Sequence, residues 1–94
     1  MDYKHILKNF MIELETLPEN DVGFYEIWNF RKFILDIEKN YNQLELNDKK
    51  LFYSLLNILR YKLENITFDN DPLVENEVKF LLNLTNKDIQ KLVA

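Results

Sequence analysis

The chain has no cysteine, and only one glycine and two prolines in 94 residues. Without cysteine there are no disulfides, no thiolate nucleophile and no thiolate metal site. With so few breakers, an all-β fold lacks the turn residues it needs at each reversal. A single His, His5, and a single Ser, Ser54, leave little material for a nucleophile–base pair. No glycine-rich phosphate loop is present. No apolar run approaches the roughly 20 residues required to span a bilayer. The start, "MDYKHILKNF", lacks the basic and apolar segments of a secretory signal, so the expected compartment is the cytoplasm and no membrane insertion is expected.

What is abundant is apolar and acidic. Hydrophobic residues make up 47% of the chain, enough to offset chain entropy and exclude disorder. Sixteen acidic residues against twelve basic ones give a net charge of −4, unsuited to phosphate backbones and suited to a basic partner. The excess of Asn, Lys and Ile over Ala and Arg is read as the composition of an AT-rich gene.

The apolar residues recur at helical spacing. Tyr3, Ile6, Leu7, Phe10, Met11 and Leu14 predict a first helix that begins after Asp2 and ends at Leu17-Pro18. "PENDVG" connects it to a second helix, about Phe24 to Tyr41, whose main stripe is Ile27, Phe30, Ile34, Ile37 and Tyr41. Phe24, Trp28 and Leu35 form a second apolar strip rotated by about 100°, which is either covered by another helix or exposed. A third helix follows Asn47 as N-cap and runs to about Ile66, with Leu51, Leu55, Ile58, Leu59 and Leu63 on its arc and Phe52 and Leu56 to one side. Asp71-Pro72 marks the start of a fourth, to Leu84, with Leu73, Val74, Phe80, Leu81 and Leu84 apolar. Thr85 or Asn86 would cap a short last helix, Lys87 to Val93. The expected fold is all-α: one domain over residues 1–94, an antiparallel up-down four-helix bundle with a short C-terminal fifth helix.

Several local patterns invite a functional reading. "DNDPLVENE" gathers oxygen ligands, but Pro72 and Leu73 break the alternation of a calcium loop and helix capping accounts for the carboxylates. Neither a metal nor another cofactor is expected, and His5 reads as a solvated surface side chain. "NEVKFLLNLTNKDIQKLVA" is similar to the opening helices of a LuxR-type helix-turn-helix. No recognition helix follows in the sequence and the acidic balance opposes phosphate affinity, so no nucleic-acid partner is expected. Lys62 and Glu77 each interrupt an apolar arc at similar distances from the 66–71 link. They are candidates for an interhelical ion pair.

The strongest signal is charge. Residues 13–26 hold five carboxylates (Glu13, Glu15, Glu19, Asp21, Glu26) and no base; residues 64–77 hold five more (Glu64, Asp69, Asp71, Glu75, Glu77), again with no base. Both stretches surround inter-helix links that an up-down bundle places at one end. Glu19, Asp21, Glu26, Asp69, Asp71 and Glu75, with Phe24, Tyr25 and Trp28 as aromatic anchors, form the expected partner-binding face.

The stretch "LLNILRYKLENITFDNDPLVENEVKFLLNLT" resembles the C-terminal half of immunity proteins for pediocin-like bacteriocins, through Lys62, Leu63, Ile66 and Phe68 and then Glu75, Val78, Leu81 and Leu84. It departs from that pattern in its acidity and in Asp69, where Thr is usual. The resemblance implies a small cytosolic helical bundle that protects a cell from a bacteriocin by acting with its receptor. The reading is therefore a non-enzymatic immunity or antitoxin-like protein, whose partner is a basic toxin or a bacteriocin–receptor complex. The alternative is a small helical transcriptional regulator, or a subunit of a larger complex. The regulator predicts salt-sensitive binding to duplex DNA, and the subunit predicts aggregation when expressed alone.

Overall fold

Three-four spacing of large apolar residues fixes which side of each helix turns inward. The computed structural model describes residues 3–68 and 70–93, and these are helical apart from their links. Helix α1 (Tyr3–Thr16) buries Leu7, Phe10 and Leu14. Helix α2 (Phe24–Lys39) buries Ile27, Phe30, Ile34 and Ile37. A single 3-10 turn, Tyr41–Gln43, leads to α3 (Leu46–Asn65), which buries Phe52, Leu55, Leu56, Leu59 and Leu63. Helix α4 (Pro72–Val93) buries Val74, Val78, Leu81 and Ile89. Phe10 lies at the centre, 5.7 Å from the Phe30 ring and 5.8 Å from Phe33. Leu17, Val22 and Leu44 plug the core from the links.

The all-α expectation holds, and two finer expectations change. No fifth helix breaks away: α4 runs unbroken through residues 84–87. Thr85 does not cap a new helix but is fully buried, its hydroxyl donating to the carbonyls of Leu81 (2.9 Å) and Leu82 (3.1 Å) within α4. A buried Thr that bonds its own preceding turn needs no other partner, so the helix continues. The described residues of the segment similar to a helix-turn-helix therefore contain no turn.

The second change is the circuit. The principal helix pairs are α1 with α2, α1 with α3, α2 with α4, and α3 with α4. Contacts between Tyr3 and Gln43 and between Glu13 and Asn29 make α1 and α2 antiparallel. Pairing of Lys4 with Glu45, and of Lys62 with the Leu14 carbonyl, makes α1 and α3 parallel. The chain thus alternates direction, but α2 and α3 are not a side-by-side hairpin; their link crosses the end of the bundle. That crossing leaves α4 seated between α2 and α3. The third helix is also set slightly differently from its expected arc: it begins at Leu46 rather than after Asn47, and Ile58 is exposed while Phe52 and Leu56 are core. No described helix is long and apolar enough to cross a membrane.

Candidate partner-binding face

The two acidic links meet, and backbone hydrogen bonds hold them together. Thr67 N–H donates to the Glu19 carbonyl at 2.9 Å, and Val22 N–H donates to the Thr67 carbonyl at 3.0 Å. The Thr67 hydroxyl donates to Asn20 Oδ1 at 3.2 Å. Two links thereby become one short antiparallel pairing, pinned to the core by buried Leu17 and Val22. Asp21 completes the turn with φ 56°, the left-handed region that Asp and Asn tolerate better than other side chains. Gly23 N–H then donates to Glu26 Oε2 at 3.0 Å and starts α2. A Cβ at Gly23 would lie 2.9 Å from that carboxylate oxygen, so a larger residue there would require the end of the Glu26 side chain to shift.

Glu19, Asp21, Glu26, Asp71 and Glu75 are exposed on this end, as are Phe24, Tyr25 and Trp28. Asp69 lies outside the described residues. The carboxylates are not equally free. Asp71 caps α4 by accepting from Leu73 N–H at 2.9 Å, as its place before Pro72 predicted. Glu75 pairs with Lys79 at 3.1 Å, and Glu26 serves the start of α2. Glu19 and Asp21 therefore carry the least compensated charge. Phe24 and Trp28 share one face of α2, one turn apart, and Tyr25 is 85% exposed. The strip continues to Leu35, and Trp28, Arg31, Lys32 and Leu35 line an open groove along α2. The second apolar strip of α2 is thus surface.

One residue that belongs beside this face escaped the sequence reading. Tyr61 on α3 is 69% exposed and lines a groove with Glu15, Pro18 and Glu19 on the opposite side of the paired links. Its lack of any place on the apolar arc of α3 was the available signal. Aromatic side chains consequently flank the acidic links from both α2 and α3.

The expected Lys62–Glu77 pair does not form. Lys62 donates to the Leu14 carbonyl and closes the C-terminal end of α1, where a cation meets the negative end of the helix. Glu77 is buried against α2 instead. It accepts from Arg31 in a two-pronged pair, Nη2 to Oε1 at 2.6 Å and Nε to Oε2 at 3.1 Å. Arg31 also stacks 3.6 Å above the Phe80 ring. Because α4 sits between α2 and α3, position 77 meets the α2 seam, and Lys62 reaches from α3 to α1.

A second buried carboxyl, Asp88, is not answered in this way. It is 5% exposed, and its Oδ2 has no hydrogen-bond partner. Burial pushes this carboxyl up to about 7, and the neighbouring Glu38 adds to the rise both by accepting its hydrogen bond and by repulsion; Lys91 and Lys87 oppose it.

No family model matches the chain, and no curated protein or solved structure matches it.

Proposed function

We propose that this is a non-enzymatic binding protein of the immunity type, which protects a cell by occupying a basic protein toxin. One observation carries the reading: the two base-free acidic stretches meet in a single hydrogen-bonded pair of links, with exposed aromatics on both sides. Carboxylates steer and register a basic partner, while Phe24, Tyr25, Trp28 and Tyr61 supply the area that holds it. The links are fixed by the core beneath them, so little ordering is left to be done on binding. The resemblance of residues 55–85 to pediocin-like immunity proteins supports the same class. It points to a bacteriocin–receptor complex as the alternative target.

The test uses tagged protein in lysate of the source cell. The comparison variant carries Glu19→Lys, Asp21→Asn and Trp28→Ala; Asn at position 21 removes charge without losing the left-handed preference. Retention of one dominant basic protein by the wild type, and its loss from the folded variant, is the expected result. Equal retention by both proteins refutes this face. Recovery of a membrane transporter in place of a basic protein moves the target to the receptor complex, and recovery of duplex DNA favours a regulator.

A further inference from the structure

At the end of the bundle away from the acidic links, α2, the 3-10 turn, α3 and α4 enclose an open cleft of about 550 Å³. Its lining includes Glu38 from α2, Tyr41 from the turn, Phe52 from α3 and Asp88 from α4. Asp88 is 95% buried by its 5% exposure, yet one of its oxygens has no donor. The hydrogen bond shared with Glu38 leaves this buried oxygen without a partner, and such atoms in native structures are normally answered. Lys39 and Lys91 line the cleft, and Lys87 acts on Asp88 from the adjacent position in α4. Among the described residues none of the three comes within ion-pair distance of either carboxylate. From α3, Lys49 lies 5.1 Å from the Tyr41 ring and outside the cleft lining. Two acids on facing helices therefore share one site beside aromatic side chains, and among the described residues no cation is paired with either.

We propose that this cleft is a binding site for a guanidinium or alkylammonium group, with Asp88 and Glu38 accepting its N–H donors and the partly exposed Tyr41 ring packing against it. A planar guanidinium presents parallel donors that two carboxylates can share, and its faces suit aromatic walls. In the empty cleft a proton does part of this work: the Asp88 carboxyl is held near neutrality by burial and by Glu38. The cation displaces that proton, which leaves to solvent, so binding and deprotonation are coupled. The lysines around the cleft, Lys39, Lys87 and Lys91, set an upper bound on the charge accepted and favour a single positive group over a dication.

The source of such a group, a free small molecule or an arginine side chain of a polypeptide, is separated by the choice of probe. Ethylguanidinium and N-acetylarginine amide are titrated into the full chain and followed by amide NMR shifts at Glu38, Tyr41 and Asp88, with N-ethylurea as the neutral control. Saturable shifts by a cation and none by N-ethylurea are expected. The apparent affinity should be about tenfold higher at pH 8 than at pH 6, because the Asp88 proton competes near pH 7. Asp88→Asn and Glu38→Gln should each weaken it while melting as cooperatively as the wild type. Tighter binding of the capped arginine assigns a polypeptide side chain, and tighter binding of ethylguanidinium assigns a small molecule. No saturation by either cation, equal binding of the urea, or unchanged affinity in Asp88→Asn overturns the site. The acidic-face variant is the independent control, since its failure to bind a basic protein leaves the cleft titration unchanged.

Discussion

Arg31 is the side chain on which the α2–α4 seam most visibly depends. It neutralises the buried Glu77 through two donors and covers the Phe80 ring, so its removal strands a carboxylate and uncovers an aromatic at once. A fully buried pair broken at one partner loses ~3–5 kcal/mol, but the Arg31 side chain is 43% exposed, so water can partly replace it. Arg31→Ala is expected to lower stability by about 2 kcal/mol in urea denaturation. The double variant Arg31→Leu with Glu77→Leu should recover most of that loss; if it is as unstable as the single variant, the pair is not what the seam requires. Asp88 makes the opposite prediction. Its folded carboxyl titrates at about 7 against a usual 3.8, so the fold prefers it protonated. The stability this group adds is full below about pH 4, declines as pH rises, and is gone above about 7. Asp88→Asn should therefore be more stable than the wild type at pH 8 by about 1–3 kcal/mol, with the difference closing toward pH 4. Melts at both pH values give the answer, and a gap that widens in acid would reverse the sign of the argument.

For whole elements, the decisive case is the second half of α4. The segment "LTNKDIQKLVA" carries good N-cap residues, Thr85 and Asn86, before an amphipathic turn, and local chemistry alone favours a restart there. The restart does not happen because Thr85, Asp88 and Ile89 face the bundle and are buried, which ties the last turns to the same axis as Leu81. Proline separates the two arrangements. At Lys87 it would occupy the favoured first position of a new helix, whereas inside a continuous helix it removes a hydrogen bond and clashes with the preceding turn. Lys87→Pro is expected to lose about 3 kcal/mol and part of its helical circular dichroism. The exposed position of Lys87 keeps side-chain packing out of the comparison. A similar override turned α3. Its apolar residues span more than one face, and contact with both α1 and α4 selects Phe52, Leu56 and Leu63 over Ile58.

On the scale of the whole molecule the charge is segregated. Ten of the sixteen acidic residues and none of the twelve basic ones lie in residues 13–26 and 64–77, whose links meet at one end. Lys39, Lys49, Lys50 and Lys91 border clefts at the other. Such a field orients an approaching basic protein before contact, and salt screens it over roughly 8–10 Å near physiological strength. The association rate with the proposed basic partner should fall several-fold between roughly 50 and 500 mM salt, while dissociation changes little. Stopped-flow or surface-binding kinetics would measure both, and a salt effect confined to dissociation would remove steering from the mechanism.

Much of this was readable in advance. The stripes Leu7–Phe10–Leu14 and Ile27–Phe30–Ile34–Ile37, the Asp71-Pro72 start and the helical class follow from spacing and capping, which act between residues a few positions apart. The meeting of the acidic links was also readable, because alternating helix direction is enough to put the first and third links at one end. What tertiary structure alone decided is which helices touch. Seating α4 between α2 and α3 gave Glu77 to Arg31 in place of Lys62, left the Phe24–Trp28–Leu35 strip on the surface, and brought Asp88 against Glu38. Periodicity states that a helix has an inner face, but every amphipathic helix can bury that face against any other, and only the packed bundle chooses the partner.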